Sequence, residues 1–233
     1  MRARLWTHSI MKADNKIAEK IKSISDTLPC GVTLIAVSKY HPAEAIMQAY
    51  EGGQREFGES KAQDLVKKHE CLPEDIKWHF IGHLQSNKIK YIAPFIHLIH
   101  SIDSYRLLQE VNRHGAKQGR KIGCLLQIHI AQEESKFGFT PEECLTMLNT
   151  GEWRTLENIE IRGLMCMASN TDDELQISKE FATIQNLFRK IKESHFSDDA
   201  TFCILSAGMS DDYPIAIKHG STHIRVGSRI FME

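Results

Sequence analysis

Short apolar runs alternate along this chain with stretches of helical periodicity from one end to the other. The runs fall near residues 33–37, 56–57, 77–81, 96–100, 122–130, 159–165, 201–205 and 223–226, which makes eight. Their separations are too long for hairpins and suit parallel strands, which need crossover connections of about a dozen residues or more. Eight strand-then-helix units in which each strand pairs with the next close into a barrel with the helices outside. The expected fold is therefore of the α/β class, a single (β/α)8 barrel of the TIM type with an extra N-terminal helix over residues 12–27. An open doubly wound sheet is the competing arrangement, and the run at 56–57 is the weakest strand signal.

The clearest helix is 172–195, where Ile177, Phe181, Ile184, Phe188 and Ile191 repeat at three- and four-residue steps. Thr171 followed three residues later by Glu174 predicts a capping box at its start, with Asp172 and Asp173 at the positive end of its dipole. A length of 233 residues suits one barrel domain over 12–233, and residues 1–11 read as a disordered extension; Met11 leaves a second possible start of translation. Twenty-nine basic against 30 acidic side chains predict neither nucleic acid nor an acidic membrane surface as a partner. The six cysteines form no C-x-x-C pair and read as buried thiols of a reducing compartment, so the expected location is the cytoplasm. No apolar run approaches the length of a bilayer span.

A barrel of this kind assembles its site from the carboxyl ends of the strands. Lys39 follows the apolar run Leu34-Ile35-Ala36-Val37, where low-dielectric walls would make its amine a better nucleophile toward an aldehyde. A lone lysine after a strand is as a rule simply solvated, so Lys39 gains meaning only from its company. Strand seven runs into Leu205-Ser206-Ala207-Gly208-Met209-Ser210 and strand eight into Arg225-Val226-Gly227-Ser228. These are the two loops where such barrels seat a phosphate: Gly208 and Gly227 let backbone approach an anion, and Ser210 and Ser228 donate hydroxyls. Taken singly, each glycine-serine pair is an ordinary turn. Asp211 and Asp212 would repel a phosphate, so both are expected to face outward. Arg225 lies among apolar strand residues and should reach the inner rim, carrying a permanent charge. His79 and His83 flank the end of strand three with no evident third ligand, which argues against a metal, and His97 and His100 read as strand residues of opposite parity. Met165, Cys166 and Met167 read as soft packing at the rim.

Seven segments occur in an order that is familiar: AVSKY at residues 36–40, FGES at 57–60, WHFIGHLQSNK at 78–88, SKFGF at 135–139, GLMCM at 163–167, LSAGMSDDYPIAI at 205–217 and GSTHIRVGSRIF at 220–231. On these motifs the chain resembles the pyridoxal phosphate homeostasis proteins, also known as the proline synthase co-transcribed protein family, over roughly residues 12–231. That family looks like the barrel domain of alanine racemase standing alone. The resemblance implies pyridoxal 5′-phosphate held as a Schiff base on Lys39, with phosphate contacts from Ser210, Gly227 and Ser228. It further implies Arg225 against the pyridine nitrogen, where an arginine keeps that nitrogen unprotonated and weakens the ring as an electron sink. Ser60 and His83 complete the set expected around the cofactor. Ser60 replaces the asparagine usual in the second motif, and Ala207 a methionine usual in the sixth.

The function so implied is intracellular homeostasis of pyridoxal 5′-phosphate by a monomer that keeps the reactive aldehyde sequestered and passes it to apoenzymes by transient contact. The competing reading is a racemase of low activity. A racemase uses acid–base groups on both faces of its substrate, and alanine racemase takes its second one, a tyrosine, from a further β domain, whereas this sequence ends at Glu233. Robust catalysis is therefore not expected. A Schiff-base aldolase would place its lysine within a strand and no arginine against a ring. Lys136 is a candidate for a second, weaker cofactor site.

Overall fold

The computed structural model describes residues 15–131 and 137–232. Eight parallel strands close in sequence order into a barrel: β1 (Thr33–Val37), β2 (Glu56–Glu59), β3 (Lys77–Phe80), β4 (Leu98–Ile102), β5 (Ile122–His129), β6 (Ile159–Met167), β7 (Ile204–Ser206) and β8 (His223–Val226). The run at 56–57 is a full strand, bonded to β1 on one side and β3 on the other. The helices are α1 (Lys16–Ser25), α2 (Ala43–Glu51), α3 (Ala62–Cys71), α4 (Ile89–Ile92), α5 (Tyr105–Lys117), α6 (Pro141–Thr150), α7 (Glu174–His195), α8 (Tyr213–Lys218) and α9 (Ser228–Phe231). The expected 1–11 extension and Lys136 lie outside the described residues.

Strands buried on both faces must be apolar on both, which is why these runs do not alternate cleanly. One face of each strand joins a large core under the helices, including Leu34, Ala36, Phe57, Trp78, Phe80 and Ile99. The opposite face fills the barrel with a smaller cluster of Leu98, Leu125, Met165 and Ile204. Met165 therefore belongs to the barrel interior, and of the three residues read as rim packing only Met167 is exposed. Cys124, Cys144 and Cys166 are buried free thiols whose pKa burial raises, Cys144 and Cys166 to about 12; Cys30, Cys71 and Cys203, expected to be buried, are exposed.

Two irregularities shape the interior. β4 starts two residues later than the run at 96–100 suggested, and its register against β5 shifts between Ile99 and Ile102. Instead of facing opposite sides, the rings of His97 and His100 both approach that of His79, with centroids 5.4 and 5.1 Å away. A second shift, between Cys124 and Leu125, lies beside Gly163, which takes φ +150°; a Cβ there would sit 1.7 Å from the carbonyl oxygen of Ile204.

α7 begins where the periodicity predicts, but its cap is Asp173, which accepts from the backbone N–H groups of Leu175 and Gln176 at 2.9 and 3.1 Å. Thr171 accepts instead from the N–H of Asp173. A capping box does form at α6, between Thr140 and Glu143. Among the described residues no helix is long and apolar enough to cross a membrane.

Candidate functional site at the barrel mouth

The carboxyl ends of β7, β8 and β1 are neighbours in the closed barrel, and most of the expected site residues converge there. The register pairs Ala36 of β1 with Val226 of β8, so Gly227 and Ser228 continue alongside Val37 and Ser38. Contact is close: a Cβ on Gly227 would lie 3.2 Å from the Cβ and the carbonyl oxygen of Val37. Lys39 follows directly. Its side chain is exposed rather than walled in as the sequence suggested, and its amine stands 5.9 Å from the ring centroid of Tyr40. Tyr40 itself takes φ +69°, the left-handed region that residues with a Cβ seldom occupy, and is 76% exposed. The chain turns sharply at the residue after Lys39, and the amine is left at the open mouth.

The turn is braced from behind by groups that sequence reasoning passed over. Lys68 of α3, buried, donates to the carbonyl oxygen of Ser38 at 2.9 Å and to Oε1 of Glu59 at 2.5 Å. The hydroxyl of Ser38 donates to the same Glu59 oxygen at 2.7 Å. Glu59 and Lys68, nine residues apart in sequence, thus clamp the peptide immediately before Lys39. A glutamate inside the apolar end of β2 was the only available signal.

At β7 and β8 the hydroxyl of Ser210 accepts from the N–H of Gly227 at 3.4 Å, tying the two loops together. The loop carbonyl of Gly208, at φ +93°, accepts from the N–H of Arg225. Asp211 is exposed as expected, but Asp212 is not: it is buried, and its carboxylate accepts from the N–H of Met209 at 2.5 Å. The inward turn satisfies a loop amide, which is the physical reason an acid is tolerated beside these hydroxyls. Arg225 is buried, and burial lowers its pKa from the usual guanidinium value. Its Nη1 donates to the Ser206 hydroxyl at 2.6 Å and its Nη2 to the carbonyl of Cys166 at 2.8 Å.

Ser60 follows β2, half-buried, with its carbonyl oxygen 2.3 Å from where a Cβ on Gly82 would be, so only glycine lets the loop after β3 cross it. His83 is exposed, 3.3 Å from a carboxylate oxygen of Asp103 and with its ring 4.6 Å from that of Phe137.

Glu56 at the start of β2, His79 within β3 and His97 just before β4 bring potential ligand atoms within 4.8 Å of one another. The carboxylate is already held by Lys77 at 2.9 Å and by His79 at 2.7 Å. Burial raises the pKa of Glu56, but those two hydrogen bonds outweigh it and bring it down to about 2. The group is a hydrogen-bonded set with its lone pairs in use and a lysine beside it, an unfavourable start for a metal centre.

Among the described residues the mouth brings together the amine of Lys39, the buried guanidinium of Arg225, the hydroxyls of Ser210 and Ser228 and two glycine-opened loops, and the amine of Lys61 stands 5.4 Å from the ring centroid of Tyr40. That donor set fits a phosphorylated aldehyde with a ring nitrogen. The family described as alanine racemase, N-terminal domain, matches residues 14–233. A pyridoxal phosphate homeostasis protein of Helicobacter pylori is 40% identical over 205 residues, covering 87% of this chain and 88% of its own. One from Schizosaccharomyces pombe is 38% identical over 203 residues, covering 86% and 83%. The structure of PipY from Synechococcus elongatus PCC7942 with pyridoxal phosphate bound superposes with a TM-score of 0.83 at 35% identity, over 92% of this chain and 99% of that one. The chain belongs to the alanine racemase N-terminal domain family and, within it, to the pyridoxal phosphate homeostasis proteins.

Proposed function

We propose that this protein binds pyridoxal 5′-phosphate at the barrel mouth and serves in its homeostasis, with Lys39 as the covalent attachment point. The observation that carries the reading is the convergence of Lys39, Ser210, Arg225, Gly227 and Ser228 on three adjacent strand ends. Ser210 and Ser228, with the loop amides opened by Gly208 and Gly227, would hold the phosphate; Arg225 would face the ring nitrogen; Ser60 and His83 would border the ring. When bound, the cofactor supplies an electrophilic aldehyde carbon and a ring able to delocalise charge. A guanidinium at the ring nitrogen favours binding over that delocalisation, in keeping with a carrier.

The exposure of Lys39 and Tyr40 supports the same conclusion. Enzymes that turn over substrates on such a cofactor exclude water from it, whereas an exposed amine lets the cofactor arrive and leave. Transfer to apoenzymes by transient contact, from a monomer, is part of this proposal. The test is the visible absorption of the purified protein before and after borohydride, with peptide mapping of the reduced product. A pyridoxyl group on Lys39, and loss of the band in Lys39→Ala, is the expected result. A chain that takes up no added pyridoxal phosphate would refute the proposal.

A further inference from the structure

The guanidinium of Arg225 is held from β7 and β6. Its Nη1 donates to Ser206, and the hydrogen bonds continue away from the mouth through the barrel: Ser206 Oγ lies 3.0 Å from His100 Nδ1, His100 Nε2 lies 2.9 Å from His79 Nδ1, and His79 Nε2 lies 2.7 Å from Glu56 Oε2. Five side chains from five strands form this path, and His79, His100 and Ser206 are at most 1% exposed.

Donor chemistry gives the path a direction. A guanidinium can only donate, so Ser206 receives from Arg225 and has its own proton to place. The neighbouring acceptor is Nδ1 of His100, which puts the proton of that ring on Nε2, pointing at Nδ1 of His79. The proton of His79 is then on Nε2, pointing at the carboxylate of Glu56. Every donor finds an acceptor with both rings neutral, and the path starts on a cation and ends on an anion. The reverse arrangement would have Ser206 accept twice and leave its own proton without a partner. Burial above all pushes the pKa of His100 well below its usual value, in accord with a neutral ring. Aligned hydrogen bonds in a low-dielectric interior polarise and strengthen one another.

We propose that Glu56, His79, His100 and Ser206 form a unidirectional hydrogen-bonded chain along the barrel axis that positions Arg225 toward the cofactor ring. These four are positioning residues. The proposal rests on the reading of Arg225 as the partner of the ring nitrogen, and it assigns to Glu56, at the far end of the barrel, an influence on the mouth.

Two measurements test it. In the cofactor-free protein, ¹⁵N–¹H correlation spectra of the imidazoles should show the Nε2–H tautomer at both His79 and His100. An Nδ1–H tautomer at either ring, or a charged His79 at neutral pH, would overturn the chain, and neither result depends on cofactor binding. In the loaded protein, Ser206→Ala should weaken pyridoxal phosphate binding about ten-fold and displace its absorption band. Glu56→Gln, a change at the half-buried lip that keeps the side-chain shape, should displace the band in the same sense and weaken binding roughly three-fold. Lys77→Met, which removes the other partner of Glu56 but leaves the path intact, should do neither. Band and affinity unchanged in Glu56→Gln, or changed equally in Lys77→Met, would overturn the proposal. Failure of the unaltered protein to take up cofactor would instead refute the reading of the mouth, while the ring tautomers would still decide whether the chain of donors exists.

Discussion

Lys68 and Glu59 form a buried ion pair at 2.5 Å directly behind the peptide that precedes Lys39. A pair of this kind adds little over a well-packed apolar substitute, yet removing one partner strands a charge in the interior. Lys68→Met and Glu59→Gln should each destabilise the fold by about 3–5 kcal/mol. The double variant Lys68→Met with Glu59→Leu should recover much of that loss while still impairing cofactor uptake, because the clamp on Ser38 is gone. Urea unfolding together with cofactor titration would separate the two effects, and a double variant with normal uptake would show that the pair serves stability alone.

Ser210 joins the two loops through the N–H of Gly227 and offers its hydroxyl to the phosphate. Ser210→Ala should weaken pyridoxal phosphate binding about ten-fold, the loss expected when a hydrogen bond to a charged group disappears. The covalent attachment to Lys39 should remain detectable after borohydride. Unaltered affinity by equilibrium titration would remove Ser210 from the phosphate site.

His97 and His223 sit at the amino end of the barrel, and burial lowers the pKa of each to about 4. The unfolded chain protonates these rings near the ordinary value, about 6.5, so between the two values unfolding takes up protons. Stability is therefore fully present above about pH 6.5 and falls as pH drops toward 4, by about 2 kcal/mol per ring once partial exposure is allowed for. Glu56, with its pKa of about 2, adds a further loss below the ordinary glutamate range, near 4.3. Urea midpoints measured across this range should decline on the acid side, and His97→Gln should flatten the upper part of the curve.

Asp173 caps α7, where the sequence pattern pointed to Thr171. Asp173→Ala should cost about 1 kcal/mol and Thr171→Ala clearly less. The order of their thermal midpoints checks the assignment.

The alternation of apolar runs with helical periodicity pointed to eight parallel strands joined by crossovers and left a closed barrel and an open doubly wound sheet in competition, which the pairing of β8 with β1 decides for the barrel. Combined with the rule that such barrels act at the carboxyl ends of their strands, it also brought Lys39, Ser210, Arg225, Gly227 and Ser228 into view, because strand ends are readable from periodicity. What joins residues across the barrel was not readable. The clamp of Lys68 on Glu59, the inward turn of Asp212 and the path from Arg225 to Glu56 each depend on register and on which face a side chain presents. Those are set when the sheet closes on itself. Periodicity along a strand says nothing of the partner across it. His97 and His100 show the difference: parity along the run at 96–100 assigned them to opposite faces, but β4 begins only at Leu98, so His97 lies before the strand and both rings come to His79.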